Sequence, residues 1–260
     1  MMPLTERIPG LWIYDFDGTL SPLVEERSAA TILPEAKEIL IELAKFPGQQ
    51  VAVLSSRMLD DLIPRVEIPG LYLGGGSGAE WLLPDGHRMV AEGKMESLLK
   101  ARKEVLDDFR RIKFIPGVDV EDKKWSIAVH VRGVSPDDRA STFNSLTELA
   151  RAKGVRILRG PDVFEVQILP EIDKLFGVKT LCSLTGFAPE SGMMVYSGDD
   201  ENDAIAMEWV IRHGGVAFSI GPRPFVRGAI HVATPAALVR EVWNLAGLTE
   251  NERRRKDELL

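Results

Sequence analysis

Apolar residues along this chain recur at spacings that change twice, and the changes divide it into three stretches. In the first, short continuous apolar runs alternate with a helical period. LWIY (11–14), VAVL (51–54) and LYLG (71–74) read as buried strands. Between the first two, PEAKEILIELAKF (34–46) repeats apolar residues at 36, 39, 40 and 43 and opens on a proline suited to the first helical position. Strand–helix alternation implies right-handed crossovers and a parallel sheet. WLLPDGHRMV (81–90) then reads as a small hairpin turned by Pro84, Asp85 and Gly86.

The middle stretch has a different rhythm. Residues 92–112 predict a long amphipathic helix with Met95, Leu98, Leu99, Val105, Leu106, Phe109 and Ile112 on one side. Two strands follow, VDVE (118–121) and KWSIAVHVR (124–132), then a helix over 136–152 that stops before Gly154. VRIL (155–158) and FEVQIL (164–169) are two more strands. The order αββαββ contains no parallel crossover between paired strands, so it predicts a separate antiparallel sheet with helices on one face. After residue 173 the first rhythm returns: a helix to 185 ending at Gly186, the strand MMVYS (193–197), a helix over 201–212, the strand VAFSI (216–220), a short strand near 230–232 and a helix over 235–246. The expected architecture is α/β, a Rossmann-like parallel-sheet core (1–88 and 173–260) interrupted by an inserted αββαββ antiparallel-sheet domain (89–172). The tail TENERRRKDELL is expected to be a solvated helical end.

Composition narrows the class. The chain has 260 residues, 45% hydrophobic and 27% charged, which is ordinary for a globular protein of one large or two modest domains. A net charge of −7 gives no overall basic footprint, so no nucleic-acid partner is expected. A small anion stays compatible, because local lysines and a metal override the global sign. The one cysteine, Cys182, excludes an intramolecular disulfide and is expected to be a buried small hydrophobe. No apolar run spans a bilayer, and the N-terminus lacks a basic-then-apolar layout. Leu260 follows the KDEL tetrapeptide, which must be terminal to act in ER retention. A cytoplasmic protein without a membrane partner, and a monomer, is the expectation.

The candidate chemistry is acidic. Asp15-Phe16-Asp17-Gly18-Thr19-Leu20 follows the first strand, where open α/β sheets bind ligands. Two carboxylates so close repel unless a divalent cation or a shared proton compensates. Magnesium prefers such hard oxygens, and one carboxylate could attack phosphorus while the other protonates the leaving oxygen. An Asx-rich turn is the plainer account of an isolated Asp-Gly pair. Gly198-Asp199-Asp200-Glu201-Asn202-Asp203 follows another strand and crowds four acidic residues into five positions. Ser55 ends the second strand and would serve equally as a helix N-cap. Lys174 opens the helix after the insertion, where a cation is mildly unfavourable unless it serves a site.

The first hexapeptide resembles the opening motif of the haloacid dehalogenase superfamily of phosphohydrolases, and the other elements follow in that superfamily's order. The resemblance implies that Asp15 is the nucleophile and Asp17 the general acid and base. It implies that Ser55 and Lys174 hold the phosphoryl group, and that Asp15, Asp17, Asp199, Asp200 and Asp203 surround Mg2+. The insertion then corresponds to a cap over the active site. In KWSIAVHVR, Trp125, Ile127, Val129 and Val131 share one face, while Lys124, Ser126, Ala128, His130 and Arg132 share the other.

Within that superfamily the chain is similar to the trehalose-6-phosphate phosphatase family through DFDGTLSPL (15–23), VAVLSSR (51–57), VEDKKWSIAVHVR (120–132), FEVQILP (164–170), Asp173-Lys174 and GDDEND (198–203). The resemblance implies that Arg57, Glu80, Glu121, Lys123, His130, Arg132 and Glu165 address the sugar phosphate, and that a small-molecule sugar phosphate is the substrate. Departures are Ser55-Ser56-Arg57 for the usual Ser-Gly-Arg, Gln167-Ile168-Leu169-Pro170 for an Arg-Pro pair, Ser77-Gly78 for His-Gly, and GDDENDA for GDDxTDE. The expected function is Mg-dependent hydrolysis of a sugar phosphate, trehalose 6-phosphate first, through an aspartyl phosphate. Sucrose phosphate or mannosylglycerate phosphate, a phosphomutase, and a non-catalytic sensor are the alternatives.

Overall fold

The computed structural model describes residues 8–24, 27–109, 115–160 and 162–248. An eight-stranded sheet is ordered β12-β11-β10-β1-β2-β3-β4-β5. Its parallel part is β1 (Gly10–Tyr14), β2 (Gln49–Leu54), β3 (Tyr72–Gly75), β10 (Met193–Gly198), β11 (Val216–Ile220) and β12 (Ile230–Val232). The predicted hairpin forms as β4 (Glu80–Leu82) and β5 (Arg88–Val90) and extends this sheet antiparallel. Crossover helices cover both faces. Trp12, Tyr14, Val51 and Val53 pack beneath α1 (Pro34–Ala44) and α7 (Pro235–Ala246). Leu11, Ile13, Ala52 and Leu54 pack beneath α5 (Lys174–Thr185) and α6 (Glu201–Arg212). Strands buried on both sides explain why the apolar runs were continuous.

One helix has no counterpart in the sequence reading. α2 (Leu59–Val66) carries Pro64 and three charged residues in eight, and buries Leu59, Leu62 and Val66. A proline inside so short a run hides its period.

A second, four-stranded sheet is wholly antiparallel, in the order β6 (Asp119–Asp122), β7 (Ser126–His130), β9 (Val163–Gln167), β8 (Arg156–Arg159). α3 (Lys94–Phe109) and α4 (Pro136–Lys153) cover one of its faces. Ile127, Val129 and Val166 meet Leu98, Val105 and Leu146 there in a cluster of their own. Leu99, placed on the apolar side of α3 by its period, is instead 61% exposed. Ile112 and the charged tail lie outside the described residues. Cys182 is only half-buried on α5, not enclosed.

Two glycines let α5 approach the loop that follows β3. The chain turns there through Gly76–Gly78, with Ser77 in the left-handed region at φ 57°. A Cβ on Gly78 would lie 2.4 Å from the Gly177 Cα, and a Cβ on Gly177 would lie 2.7 Å from both the Leu54 Cδ1 and the Ser77 carbonyl oxygen. A mid-helix Gly→Ala change ordinarily stabilises by roughly 0.5–1 kcal/mol. Gly177→Ala is expected to reverse that sign and cost about 1–3 kcal/mol by overpacking, read as a lowered Tm. An unchanged or raised Tm would show that α5 does not sit this close.

Candidate active site

β10, β1 and β2 end side by side, with Tyr14 level with Ser197 on one flank and Val53 on the other. The next residues of each strand therefore emerge together, and they are Asp15, Asp199 and Ser55. The Asp15 N–H donates to the Ser197 carbonyl at 2.9 Å, which carries the ladder one residue past the strand. Gly18 reverses the chain at φ 73°, and a Cβ there would lie 2.0 Å from Asp199 Oδ2. The glycine of the first motif is thus required by a side chain of the last.

Asp15, Asp199 and Asp203 each offer a carboxylate oxygen, and these lie within 4.8 Å of one another. The Lys174 ammonium pairs with Asp15, donates to the Leu54 carbonyl at 2.9 Å and lies 3.0 Å from Asp203 Oδ1. Asp173 caps α5 by accepting from the Phe176 N–H at 2.9 Å, so the helix begins where its first side chain reaches the cluster. Asp203 is the most engaged carboxylate. Its Oδ1 also accepts from the Tyr196 hydroxyl at 2.7 Å, and its Oδ2 accepts from the N–H groups of Asp199 (3.2 Å) and Asp200 (3.3 Å).

Other expected site residues sit differently. Asp17 is not among these three grouped carboxylates; Arg57 donates to it twice, Nε to Oδ2 at 2.7 Å and Nη2 to Oδ1 at 2.6 Å. Asp200 is also outside that group and instead forms the capping box of α6 with Asp203. Arg57, expected at the substrate, is 1% exposed and also donates to Asp61 at 2.6 Å. Asp61 in turn binds Arg65 at 2.7 Å, a chain of charges missed because α2 was missed. The i,i+4 spacings of Arg57 with Asp61 and of Asp61 with Arg65 were its sequence signal. Ser55 Oγ accepts from the Arg57 N–H at 3.1 Å, shaping the turn after β2. Tyr196 was also unforeseen; its place two residues before Gly198 is ordinary strand sequence.

The face of the second sheet turned away from α3 and α4 meets this cluster at Lys174. Leu158 and Arg156 on β8, with Glu165 and Gln167 on β9, line one side of a cavity of about 130 Å³ that Lys174 and Asn202 of the core line from the other. Glu165 accepts from Ser126 at 2.7 Å and from Lys123 at 3.2 Å, bringing two predicted sugar contacts together. His130 and Glu121 pair at 3.1 Å farther along β7 and β6 and do not line the cavity. Arg132 lies beyond the end of β7, 3.5 Å from Asp162 and largely exposed. Glu80 faces the second sheet: its Oε1 accepts from the Trp125 Nε1 at 3.0 Å and pairs with Lys124.

Burial dominates the electrostatics. It pushes Asp15 up to about 7 against the opposing pull of Lys174, and it pushes Asp199 up to about 9, with Asp15 and Asp203 adding to the rise. One ammonium leaves the three carboxylates with excess negative charge. An all-oxygen, buried, undercompensated set of this kind suits a hard divalent cation, which Asp15 and Asp199 would hold with Asp203 beside them.

Comparison with known proteins gives the chain's family. The trehalose-phosphatase family model matches residues 13–233. A trehalose-phosphate phosphatase of Mycobacterium tuberculosis is 33% identical over 216 residues, 81% of this chain and 54% of the relative. A Mycobacterium tuberculosis protein described as an uncharacterized glycosyl hydrolase is 35% identical over 225 residues, 84% of this chain but 16% of the relative. The chain thus spans about half, or less, of these curated relatives. The C-terminal domain of a Candida albicans trehalose-6-phosphate phosphatase superposes with a TM-score of 0.73 at 21% identity, covering 93% of each chain. A haloacid dehalogenase-like hydrolase from Bacteroides thetaiotaomicron gives 0.59 at 14% identity, covering 91% of this chain and 99% of the other. These two structures bear on the fold alone.

The raised carboxyl groups set a pH dependence. Their folded values lie above the ordinary carboxylate value of about 4, so the native state binds more protons than the unfolded one. Their contribution is complete below about pH 4 and is lost as pH rises toward about 9. In EDTA, Tm is expected to fall between pH 6 and pH 9, and a millimolar divalent cation should flatten that fall. A Tm in EDTA that stays level or rises over this interval would contradict the clustering.

Proposed function

The chain belongs to the trehalose-phosphatase family, and from that premise we propose that it is a magnesium-dependent phosphatase hydrolysing trehalose 6-phosphate to trehalose and phosphate. The observation that carries the reading is the convergence of Asp15, Asp199 and Asp203 with Lys174, which itself lines the cavity. In this account 1–88 and 173–260 form the catalytic core and 89–172 the cap, and the enzyme is a cytoplasmic monomer. Among the described residues no helix is long and apolar enough to cross a membrane.

Asp15 attacks phosphorus in line, forming an aspartyl phosphate as the bond to the sugar oxygen breaks, and Asp17 gives that oxygen its proton. Asp17 then takes a proton from water as the water attacks phosphorus, releasing inorganic phosphate and the Asp15 carboxylate. Asp17 must leave part of its Arg57 clamp to do this, so Arg57 fixes the resting position of the acid. Lys174 offsets charge on the transferring oxygens and opposes the protonation of Asp15 that burial favours. Ser55 stands beside them at the end of β2. A bound magnesium supplies further positive charge at Asp15 and Asp199, where the protein alone leaves a deficit. Glu165 and Lys123 address the sugar from the cap, and closure excludes water.

Phosphate release from trehalose 6-phosphate is expected with magnesium and is lost in EDTA. Asp15→Asn should lower kcat by roughly a thousandfold or more while leaving Tm within a few degrees. A near-normal rate in that variant removes the nucleophile assignment. Across sucrose 6-phosphate, mannosylglycerate phosphate and hexose monophosphates, trehalose 6-phosphate should lead in kcat/KM by about tenfold, or ~1.4 kcal/mol. A flat profile would leave a general sugar phosphatase.

A further inference from the structure

Gln167 stands out on the cavity face of the cap sheet. It is 8% exposed, its side-chain oxygen has no hydrogen-bond partner, and it lines the cavity over Lys174. Its neighbours across the sheet are turned to other work. Ser126, opposite on β7, donates to Glu165 at 2.7 Å. Arg156, opposite on β8, reaches out of the sheet to Asp173 at 3.5 Å. No bond within the described protein therefore accounts for a buried amide here, and a buried polar group is retained at a cost unless something supplies its partner.

The facing wall has the same defect. Asn202, in the first turn of α6, also lines the cavity. Its Nδ2 lies 3.4 Å from Asp200 Oδ2, which orients the amide, and its Oδ1 has no partner. Two amide oxygens, one on each wall, call for hydrogen-bond donors from whatever fills the space. A fully ionised phosphate has no donor to provide; the hydroxyls of a polyol do.

We propose that Gln167 is a specificity-determining residue that hydrogen-bonds a hydroxyl of the alcohol half of the ester, with Asn202 addressing the same half from the core. The proposal deepens the sugar-phosphatase reading and rests on it. A phosphate held at Lys174 places its ester oxygen at the cavity floor and its polyol against Gln167. Selection here is steep: a hydroxylated ligand satisfies both orphan oxygens, and a ligand without hydroxyls leaves them unpaired.

The test is Gln167→Met, which keeps volume and removes the amide. Since no intramolecular bond is lost, Tm should be unchanged or raised. With trehalose 6-phosphate kcat/KM should fall about tenfold, chiefly through KM, whereas with p-nitrophenyl phosphate it should stay within twofold. Parallel loss on both substrates, no change on either, or failure of the variant to fold would each overturn the proposal. The wild-type enzyme separates this from the parent reading. Turnover of glucose 6-phosphate or sucrose 6-phosphate but not trehalose 6-phosphate ends the trehalose assignment, and the ratio is then measured on the sugar phosphate accepted. Turnover of p-nitrophenyl phosphate with no sugar phosphate accepted ends both.

Discussion

Lys174 sits among Asp15, Asp203 and the Leu54 carbonyl, and the charge it brings is too small for the carboxylates it serves. Much of the surrounding structure follows from that imbalance. Tyr196 and two backbone N–H groups take up part of the burden at Asp203. Gly18 has no side chain because Asp199 occupies the space one would fill. What remains uncompensated appears as carboxyl groups that burial holds partly protonated, the condition that a hard cation relieves.

Holding those groups together is a matter of strand ends and one helix. β1 lies between β10 and β2 in parallel register, so three residues distant in sequence leave the sheet in one place. α5 adds the lysine after the chain has gone out through the second sheet and come back, and its glycine contact with the Gly76–Gly78 turn sets how near the lysine comes. The same turn meets the second sheet. A Cβ on Gly76 would lie 2.5 Å from the Trp125 ring, and Glu80 accepts from the indole of that residue. The core loop that supports α5 is therefore also the seat of the second sheet, which ties the position of Lys174 to that of the cavity.

The charged residues divide by burial. In the pairs Lys123 with Glu165 and Arg57 with Asp17 the cation is enclosed, so each holds its carboxylate in place. Pairs such as Arg132 with Asp162 and Arg88 with Asp60 lie in solvent and contribute little. Arg57, which the family resemblance assigns to the sugar phosphate, donates in this structure to Asp17 and Asp61.

The architecture was legible in the sequence because period and side-chain burial are local consequences of one another. Continuous apolar runs gave the parallel strands, strict alternation in 124–132 gave a sheet with one covered face, and Gly154 and Gly186 marked helix ends in the left-handed region. Asp15, Lys174, Asp199 and Asp203 were legible as well, since each stands at a strand or helix terminus that periodicity locates. α2 escaped because Pro64 interrupts its pattern, and with it went the Asp17–Arg57–Asp61–Arg65 chain. Partnership was decided only by the tertiary structure. Whether Asp17 meets a cation or an arginine, whether Glu80 meets a sugar or Trp125, and whether Gln167 has any partner depend on contacts between segments far apart in the chain. Sequence spacing places a residue on a face; packing determines what it meets there.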